Sequence, residues 1–505
     1  MAVDIRKPDP RYSILGRSRN LRWENTATEI TLCESNEDAA AALQRIVSAG
    51  KRPTIRSGGH CYEDFVMNNP GGSILDLSLL TESHVKNDSR YYIAAGKSLG
   101  DTYLDLYKRY GLTIPAGTCY SVGAGGHISG GGYGLLARLH GLTVDWVSAV
   151  DILTVDAKGK VVQRRVDRKT DADLFRACLG AGGGNFGVIT GFLFDKLPPA
   201  PREIARASVS FDWTTMTESR FVKILTTYGN YWETRGKDPD TWGMFAIFPI
   251  SHKSAGSFGF SVQFCNPDGS CDDLKPLHEF LELFRPCEPR AAIAGQPEKD
   301  RIPKVDLRAE TCSVSQNVNQ TPWLDATIGR GSGGGGASRA KYKSSHMKKN
   351  FSEAEAKVFY QHLTRMVPGV DLRGSLVAVD AYGGATNRPE MARQTSNWQR
   401  SSILKLQFQS YWNRKEQDAG RLQWMDEFFT EAYSGTNVNP KFAGTPYPGE
   451  HYEGCYINYP DVDMLRYPHW PQLYYGTGDL YPFLQNVKRN YDPNNIFHHS
   501  MSVRP

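Results

Sequence analysis

Long apolar runs are missing from the 505-residue chain. None approaches the roughly 20 residues that a membrane-spanning helix needs, so no membrane partner is expected. An excess of one charge is missing as well. The chain has 59 lysines and arginines against 54 acidic residues, and the net +5 is too small for long-range steering of nucleic acid. The densest basic stretch, KYKSSHMKK from Lys341 to Lys349, is expected to be a solvated approach to a helix. The N-terminal stretch MAVDIRKPDPRYSILGRSRN lacks the apolar centre of a secretory signal. Location stays open between the cytoplasm and secretion with a leader outside this chain. No internal repeat is visible. An even cysteine count is also absent: with nine, at least one stands outside any disulfide. Cys265 and Cys271 bracket an Asn-Pro-Asp-Gly turn, which leaves a pairing between them open.

What is present is ordinary for a globular protein: 40% hydrophobic and 22% charged residues, in a chain long enough for two or more domains. The first two hundred residues or so alternate short strand patterns with helical ones. EITLCES and RPTIRSGG read as strands. Ser35 and Ser98 stand where helix caps belong, and Gly50 and Gly111 where helices end. SAVDILTVDAKGKVVQRR (Ser148 to Arg165) reads as a hairpin. From about Ala205 aromatic, alternating segments such as GMFAIFPI and GSFGFSVQFC predict antiparallel strands, interleaved with helices such as Ser352 to Val367. The class is α+β. GRGSGGGGASR (Gly329 to Arg339) fits a linker or a loop over a site equally well.

Glycine is concentrated where chemistry would sit. Ala116 to Leu142 carries glycines at 117, 123, 125, 126, 130, 131, 132 and 134. Such a segment reads as backbone wrapping a large planar or phosphorylated molecule, its amides forming anion nests. GAGGGNFGVIT (Gly180 to Thr190) contains a formal dinucleotide fingerprint from Gly182 to Gly187. That fingerprint wants a following helix, and here the strand-like VITGFLF follows. A Rossmann site is disfavoured and a dinucleotide phosphate site is not. His60, Cys61, Cys119 and His127 lie in or beside these glycine segments. They lack the paired short spacings of a structural zinc site, and neither cysteine has a local protease signature. The third reading makes His60 and Cys119 covalent anchors of a cofactor; no metal is expected.

RSGGHCYEDF, AGTCYSVGAGGHISGGGYGLL, GAGGGNFGV, CYINYPDVD and YDPNNIFHH occur in this order over nearly the whole chain. Together they resemble the berberine-bridge-enzyme-like FAD oxidases of the vanillyl-alcohol-oxidase superfamily, nearest in motif to oxidases of sugars and antibiotic glycosides. The resemblance implies a PCMH-type FAD-binding domain in residues 1–205, a substrate domain with an antiparallel sheet flanked by helices in 206–449, and a C-terminal segment, 450–505, returning to the first. It implies FAD bonded to both His60 and Cys119, with Cys61 structural. Arg56, Ser57, Gly58, Gly59, Gly182, Asn185, Gly187 and Val188 would bind the pyrophosphate and adenosine portions. Gly125, Gly126, His127 and Gly130 would lie along the flavin, and Asn458 at its polar edge. Val122 takes the oxygen-gate position, where a small residue favours dioxygen as acceptor.

The same resemblance gives Tyr456 the role of base. A free phenol has a pKa of about 10 and needs help to act near neutral pH. Lys405 and Gln407, on one face of a strand, match the pair that supports an active-site tyrosinate, and Tyr133 matches a second tyrosine at the reacting oxygen. Tyr459 is read as core packing. Gln407 stands where alkaloid-cyclising members carry a glutamate base, which argues for alcohol oxidation over ring closure. The expectation is hydride transfer from a carbinol of a sugar or glycosylated metabolite to FAD, and reoxidation by O2 giving hydrogen peroxide. Alternatives are an oligosaccharide oxidase forming a lactone at C1, and a dehydrogenase using another acceptor. A non-catalytic flavoprotein is disfavoured because Tyr456, Tyr133 and Lys405 are all present. Trp323, Trp398 and Trp412 are candidate sugar platforms, with burial the commoner fate of tryptophan. A monomer or homodimer is expected. The loops that would choose the substrate, roughly Ile302 to Asn350 and Ala381 to Gln399, carry no decodable motif.

Overall fold

Two sheets form in the first 194 residues and a third in the residues that follow, in a computed structural model that describes residues 2–85, 89–287, 318–329 and 337–505. The first sheet has strands Val3–Ile5 (β1), Glu29–Leu32 (β2), Pro53–Arg56 (β3) and Ser73–Asp76 (β4), in the order β1-β2-β4-β3. Its β2, β4 and β3 run parallel. The second is antiparallel: Ser83–Val85 (β5), Tyr91–Ala94 (β6), Ala149–Val155 (β7), Val161–Asp167 (β8) and Val188–Phe194 (β9), ordered β5-β6-β9-β7-β8. Local chemistry sets these elements. Ser35 and Ser98 accept the amides of Asp38 and Asp101 at 3.1 and 3.0 Å, capping helices Asn36–Ser48 and Leu99–Tyr110. The expected hairpin is β7–β8, and the segment after the second glycine cluster is strand β9, as its composition predicted.

The third sheet is antiparallel and seven-stranded: Glu203–Asp212 (β10), Phe245–Ser251 (β11), Ser257–Phe264 (β12), Asn319–Pro322 (β13), Arg339–Met347 (β14), Ser375–Ala381 (β15) and Leu404–Trp412 (β16). Its order is β13-β10-β12-β11-β15-β16-β14. Helices Glu218–Thr234, Glu353–Thr364 and Asp418–Ala432 pack in sequence-remote pairs, and their buried aromatics, Trp232, Phe359, Trp424 and Phe428 among them, build the core. The chain end then returns to the first two hundred residues. Tyr475 donates to the Ala181 carbonyl at 3.1 Å, Lys488 to the Asn185 carbonyl at 2.6 Å, and the Val503 amide to Asn185 Oδ1 at 2.9 Å.

One expectation is overturned here. KYKSSHMKK forms most of strand β14 rather than a solvated approach to a helix. Lys341 and Lys343 are buried, and Lys341 Nζ lies 2.5 Å from Asp461 Oδ1, 2.9 Å from Asp463 and 3.4 Å from Glu63. Lys343 Nζ lies 2.7 and 2.9 Å from Asp461 and Asp463. A charge run reads as solvated only until its counter-charges are known, and these stand about 120 residues downstream in the CYINYPDVD segment. The eight described cysteines form no disulfide, Cys265 and Cys271 included. Cys312, most of Gly329 to Arg339 and much of Ile302 to Asn350 lie outside the described residues. No described helix is long and apolar enough to cross a membrane.

Candidate active site

Strand β3 delivers the first glycine turn. Arg56, opposite Asp76 on β4, pairs with that carboxylate and is buried. The guanidinium thus anchors the strand end. Ser57 Oγ donates to the Ala95 carbonyl at 2.6 Å. A side chain at Gly58 would overlap the Gly123 amide, and Gly59 turns with φ +72°. This lays the turn against the second glycine segment, where His60 Nε2 stands 3.0 Å from Ser121 Oγ. Burial first, then the Arg19 charge, pushes His60 down to about 4. Burial keeps this imidazole neutral, and its Nε2 faces the turn that carries Cys119. The Gly125 amide is tied to the Ala95 carbonyl at 2.8 Å, while nothing lies within 4 Å of a Cβ placed on Gly126. Asn185 and Gly187 fasten the third glycine loop. Asn185 bonds Ala181, Gly182 and Val503, Gly187 packs on the Leu153 carbonyl, and Val188 opens β9. A neutral histidine, a cysteine on the facing turn and open glycine backbone fit an FAD ring and its phosphates.

The third sheet faces these turns with one transverse row. Strand register places Asp380 of β15, Lys405 of β16 and His346 of β14 side by side. Lys405 Nζ lies 3.2 Å from Asp380 Oδ2 and donates to the Tyr459 hydroxyl at 3.0 Å. It also sits over the rings of Tyr133 (3.9 Å), Tyr459 (4.4 Å) and Tyr456 (5.6 Å). Burial lowers the Lys405 ammonium from its usual range, against the pull of Asp380 and Tyr456. His346 is fully buried, edge-on to Tyr382 and Tyr456, and neither ring nitrogen has a partner among the described residues.

Tyr456 is held from several sides. Its amide donates to Ser344 Oγ at 3.0 Å, and Asn458 Nδ2 reaches both the Tyr456 hydroxyl (3.4 Å) and the His127 carbonyl (2.9 Å). Backbone amides of Gly132 and Tyr133 point at the phenol oxygen. Gly132 can turn its amide there because it adopts φ +75° with the Thr143 side chain against it. Burial raises the Tyr456 pKa, while Lys405, Asn458 and the two amides draw it back. His127 accepts the Gly117 amide at 3.0 Å. Burial, then the Lys405 charge, depresses it to about 4. Val122 is half-buried, its amide on the Cys119 carbonyl at 3.2 Å, and the Gly130 backbone packs on Asn458.

Some placements differ from the pairing expected along the chain. The Tyr133 hydroxyl donates to the Ala381 carbonyl. Gln407 donates to the Tyr62 hydroxyl at 2.9 Å and accepts from Gln409 at 3.0 Å, and Lys405 reaches Tyr459 rather than the Tyr456 oxygen. Tyr62, Asp380 and His346 escaped notice in the sequence, and Tyr459, read as core packing, instead accepts from Lys405. Tyr62, two residues past His60, stood within a quoted motif. Asp380 and His346 become visible only through strand register. Trp323 and Trp412 are buried and Trp398 half-buried.

The FAD binding domain family matches residues 28–164, and the family described as berberine and berberine like matches residues 455–504. Hexose oxidase of Chondrus crispus is 34% identical over 533 residues, spanning 98% of this chain and 94% of its own. The aclacinomycin-N/aclacinomycin-A oxidase of Streptomyces galilaeus is 32% identical over 529 residues, spanning 100% and 90%. The glycopeptide hexose oxidase DBV29, solved in complex with teicoplanin, superposes with a TM-score of 0.86 at 32% identity, over 100% of this chain and 99% of the other. The fold and the family matches are those of an FAD-linked oxidoreductase with PCMH-type architecture. Within that class the chain belongs to the berberine-bridge-enzyme-like family.

Proposed function

We propose that the protein oxidises a carbinol group on a carbohydrate or glycosylated secondary metabolite, with FAD bonded to His60 and Cys119 and dioxygen as final acceptor. In this reading residues 1–205 and 450–505 bind FAD, and residues 206–449 hold the substrate. One observation carries it: the Tyr456 hydroxyl is ringed by Asn458, two backbone amides and the Lys405 cation, all of which favour its ionised form. The named relatives, oxidases of a hexose and of aclacinomycins, support the substrate class.

Bound FAD supplies the two-electron acceptor. The chain supplies the rest. His60 and Cys119 fix the ring from two turns, and the amides of 57–59 and 182–184 hold the phosphates. Tyr456 takes the carbinol proton. Lys405 and Asp380 set the charge beside it, and buried neutral His127 and His346 add none. Valine at position 122 leaves room for dioxygen.

A screen of mono- and oligosaccharides and glycosylated aglycones, scored by flavin bleaching and peroxide release under air, tests the reaction. Bleaching with at least one sugar-bearing carbinol is expected, and bleaching by none sinks the reading. The covalent links have their own test. Flavin fluorescence should stay with the protein band on a denaturing gel, and Cys119→Ala should keep its flavin through His60 while turning over more slowly. Complete release of flavin from that single variant would refute the double anchor.

A further inference from the structure

We propose that Glu63 is the positioning residue of the His60 anchor. Through it the flavin bond at His60 depends on a docked third sheet and chain end, while the bond at Cys119 needs neither. The inference rests on the double anchor proposed above and goes beyond it.

The two anchor turns are held in different ways. The Cys119 turn is pinned by neighbours in sequence. The amides of Leu99 and Gly100, which open helix Leu99–Tyr110, donate to the Val122 and Tyr120 carbonyls at 2.9 and 3.1 Å. From the same helix Tyr103 donates to the Gly117 carbonyl at 2.8 Å, and Asp101 accepts from the Tyr120 hydroxyl at 2.7 Å.

The His60 turn takes its partners from far along the chain. Glu63 is buried, and its Oε1 lies 3.4 Å from Lys341 Nζ on β14 and accepts the Val462 amide at 3.4 Å. Gln407 of β16 donates to the Tyr62 hydroxyl at 2.9 Å, and Tyr342 of β14 stacks on the Tyr62 ring at 3.6 Å. His499 stacks on Phe65 at 4.0 Å. Even the contact from the chain start leads back to the sheet. Asn20 Nδ2 donates to the Tyr62 carbonyl at 2.8 Å and to the Ala340 carbonyl of β14 at 3.1 Å.

Of these contacts the Glu63 carboxylate carries the charge, and its cation cannot wander: Lys341 Nζ is also held by Asp461 at 2.5 Å and Asp463 at 2.9 Å. A charge-assisted contact in a buried setting holds harder than ring stacking. What it holds is the distance of His60 from its target. Burial keeps that imidazole neutral, so its reactivity is set by where it stands. Reacting atoms must meet at about 3–3.5 Å, and a misplacement of about 1 Å can cost about 10²-fold.

The step balances. The new C–N bond replaces an N–H bond of His60 and a C–H bond of the flavin. Both hydrogens leave as protons, and the electron pair left behind passes to dioxygen, giving hydrogen peroxide. Glu63 takes no part in that exchange; it holds the turn.

The test combines Glu63→Ala with Cys119→Ala in one holoenzyme and with His60→Ala in another, so that each keeps a single anchor. Lys341 retains Asp461 and Asp463 in both, and folding is verified by circular dichroism and by the total FAD that copurifies. The readout is the share of flavin that stays with the chain on denaturation. With His60 as the anchor, Glu63→Ala should cut that share at least about 10-fold, within the cost of a misplaced reactant. With Cys119 as the anchor, the share should stay as it is with Glu63 intact. Glu63→Asp keeps the charge and withdraws it by one methylene, and it should lower the His60 share in the same direction; it serves as the test if the alanine variant does not fold. An unchanged share with His60 as the anchor overturns the assignment. So does an equal fall with Cys119 as the anchor, which would make Glu63 a general support of the fold. If either single-anchor protein releases its flavin with Glu63 intact, the double anchor fails and the Glu63 assignment with it.

Discussion

Tyr456→Phe is expected to slow flavin reduction about 10³-fold, inside the 10²–10⁴ range for removing a positioned general base, with FAD still bound. The ring that packs edge-on against His346 and Tyr459 survives the change, so the loss belongs to one oxygen. Stopped-flow reduction under anaerobic conditions measures it. Reoxidation of chemically reduced flavin by dioxygen should proceed at the wild-type rate, because no proton passes through Tyr456 in that half-reaction. The pH profile adds a sign. Burial leaves the Tyr456 phenol above its usual range, so the fraction able to accept a proton grows as pH rises. Flavin reduction in the wild type should climb into the alkaline range, and the variant should lose that climb. A rate within about 3-fold of wild type would remove Tyr456 from the mechanism, since a base contributes far more.

The second large effect is on stability. Lys341→Met should cost about 3–5 kcal/mol, the range for breaking a buried ion pair from one side. The variant leaves Glu63 and Asp461 short of a cation at a site where both are buried. Glu63 holds the turn that carries His60 and Tyr62, and its other oxygen has no partner among the described residues. Burial, opposed by Lys341, already raises Glu63 to about 7 from an ordinary 4.5. A carboxyl harder to ionise in the folded protein loses stability as pH rises from its unfolded to its folded value. Without Lys341 the folded value moves higher still, so the deficit should be larger at about pH 8 than at about pH 5. Chemical denaturation at both pH values reads this out. An equal or smaller deficit at the higher pH would contradict the role given to Glu63.

Local rules made much of the frame legible. Caps at Ser35 and Ser98, the glycine after Tyr110, the 149–167 hairpin and the helix opening at Ser352 each depend on residues a few positions apart. Ordered motifs made the cofactor class legible too. Illegible were the pairings set by register and distance. Gln407 meets Tyr62 across 345 residues, and Asp380, Lys405 and His346 share a row only once three strands are aligned. Lys341 and Lys343 illustrate the limit. Their charge suggested water, and only the fold reveals the aspartates that make burial tolerable. Tyr459 was read as packing because the lysine from which its oxygen accepts lies 54 residues away, on a strand of the third sheet.

The return of the chain end to the glycine loops has a bearing on biosynthesis. Tyr456, Asn458 and Asp461 all emerge from the ribosome more than three hundred residues after Cys119, and the contacts of the His127 carbonyl and Gly130 with Asn458, and of Glu63 with the Val462 amide, wait for that late segment. Contacts this remote in sequence form late in folding. On the reading proposed above, a nascent chain can build its first two sheets and still lack its proton acceptor, so redox chemistry waits for the Tyr456 segment to dock.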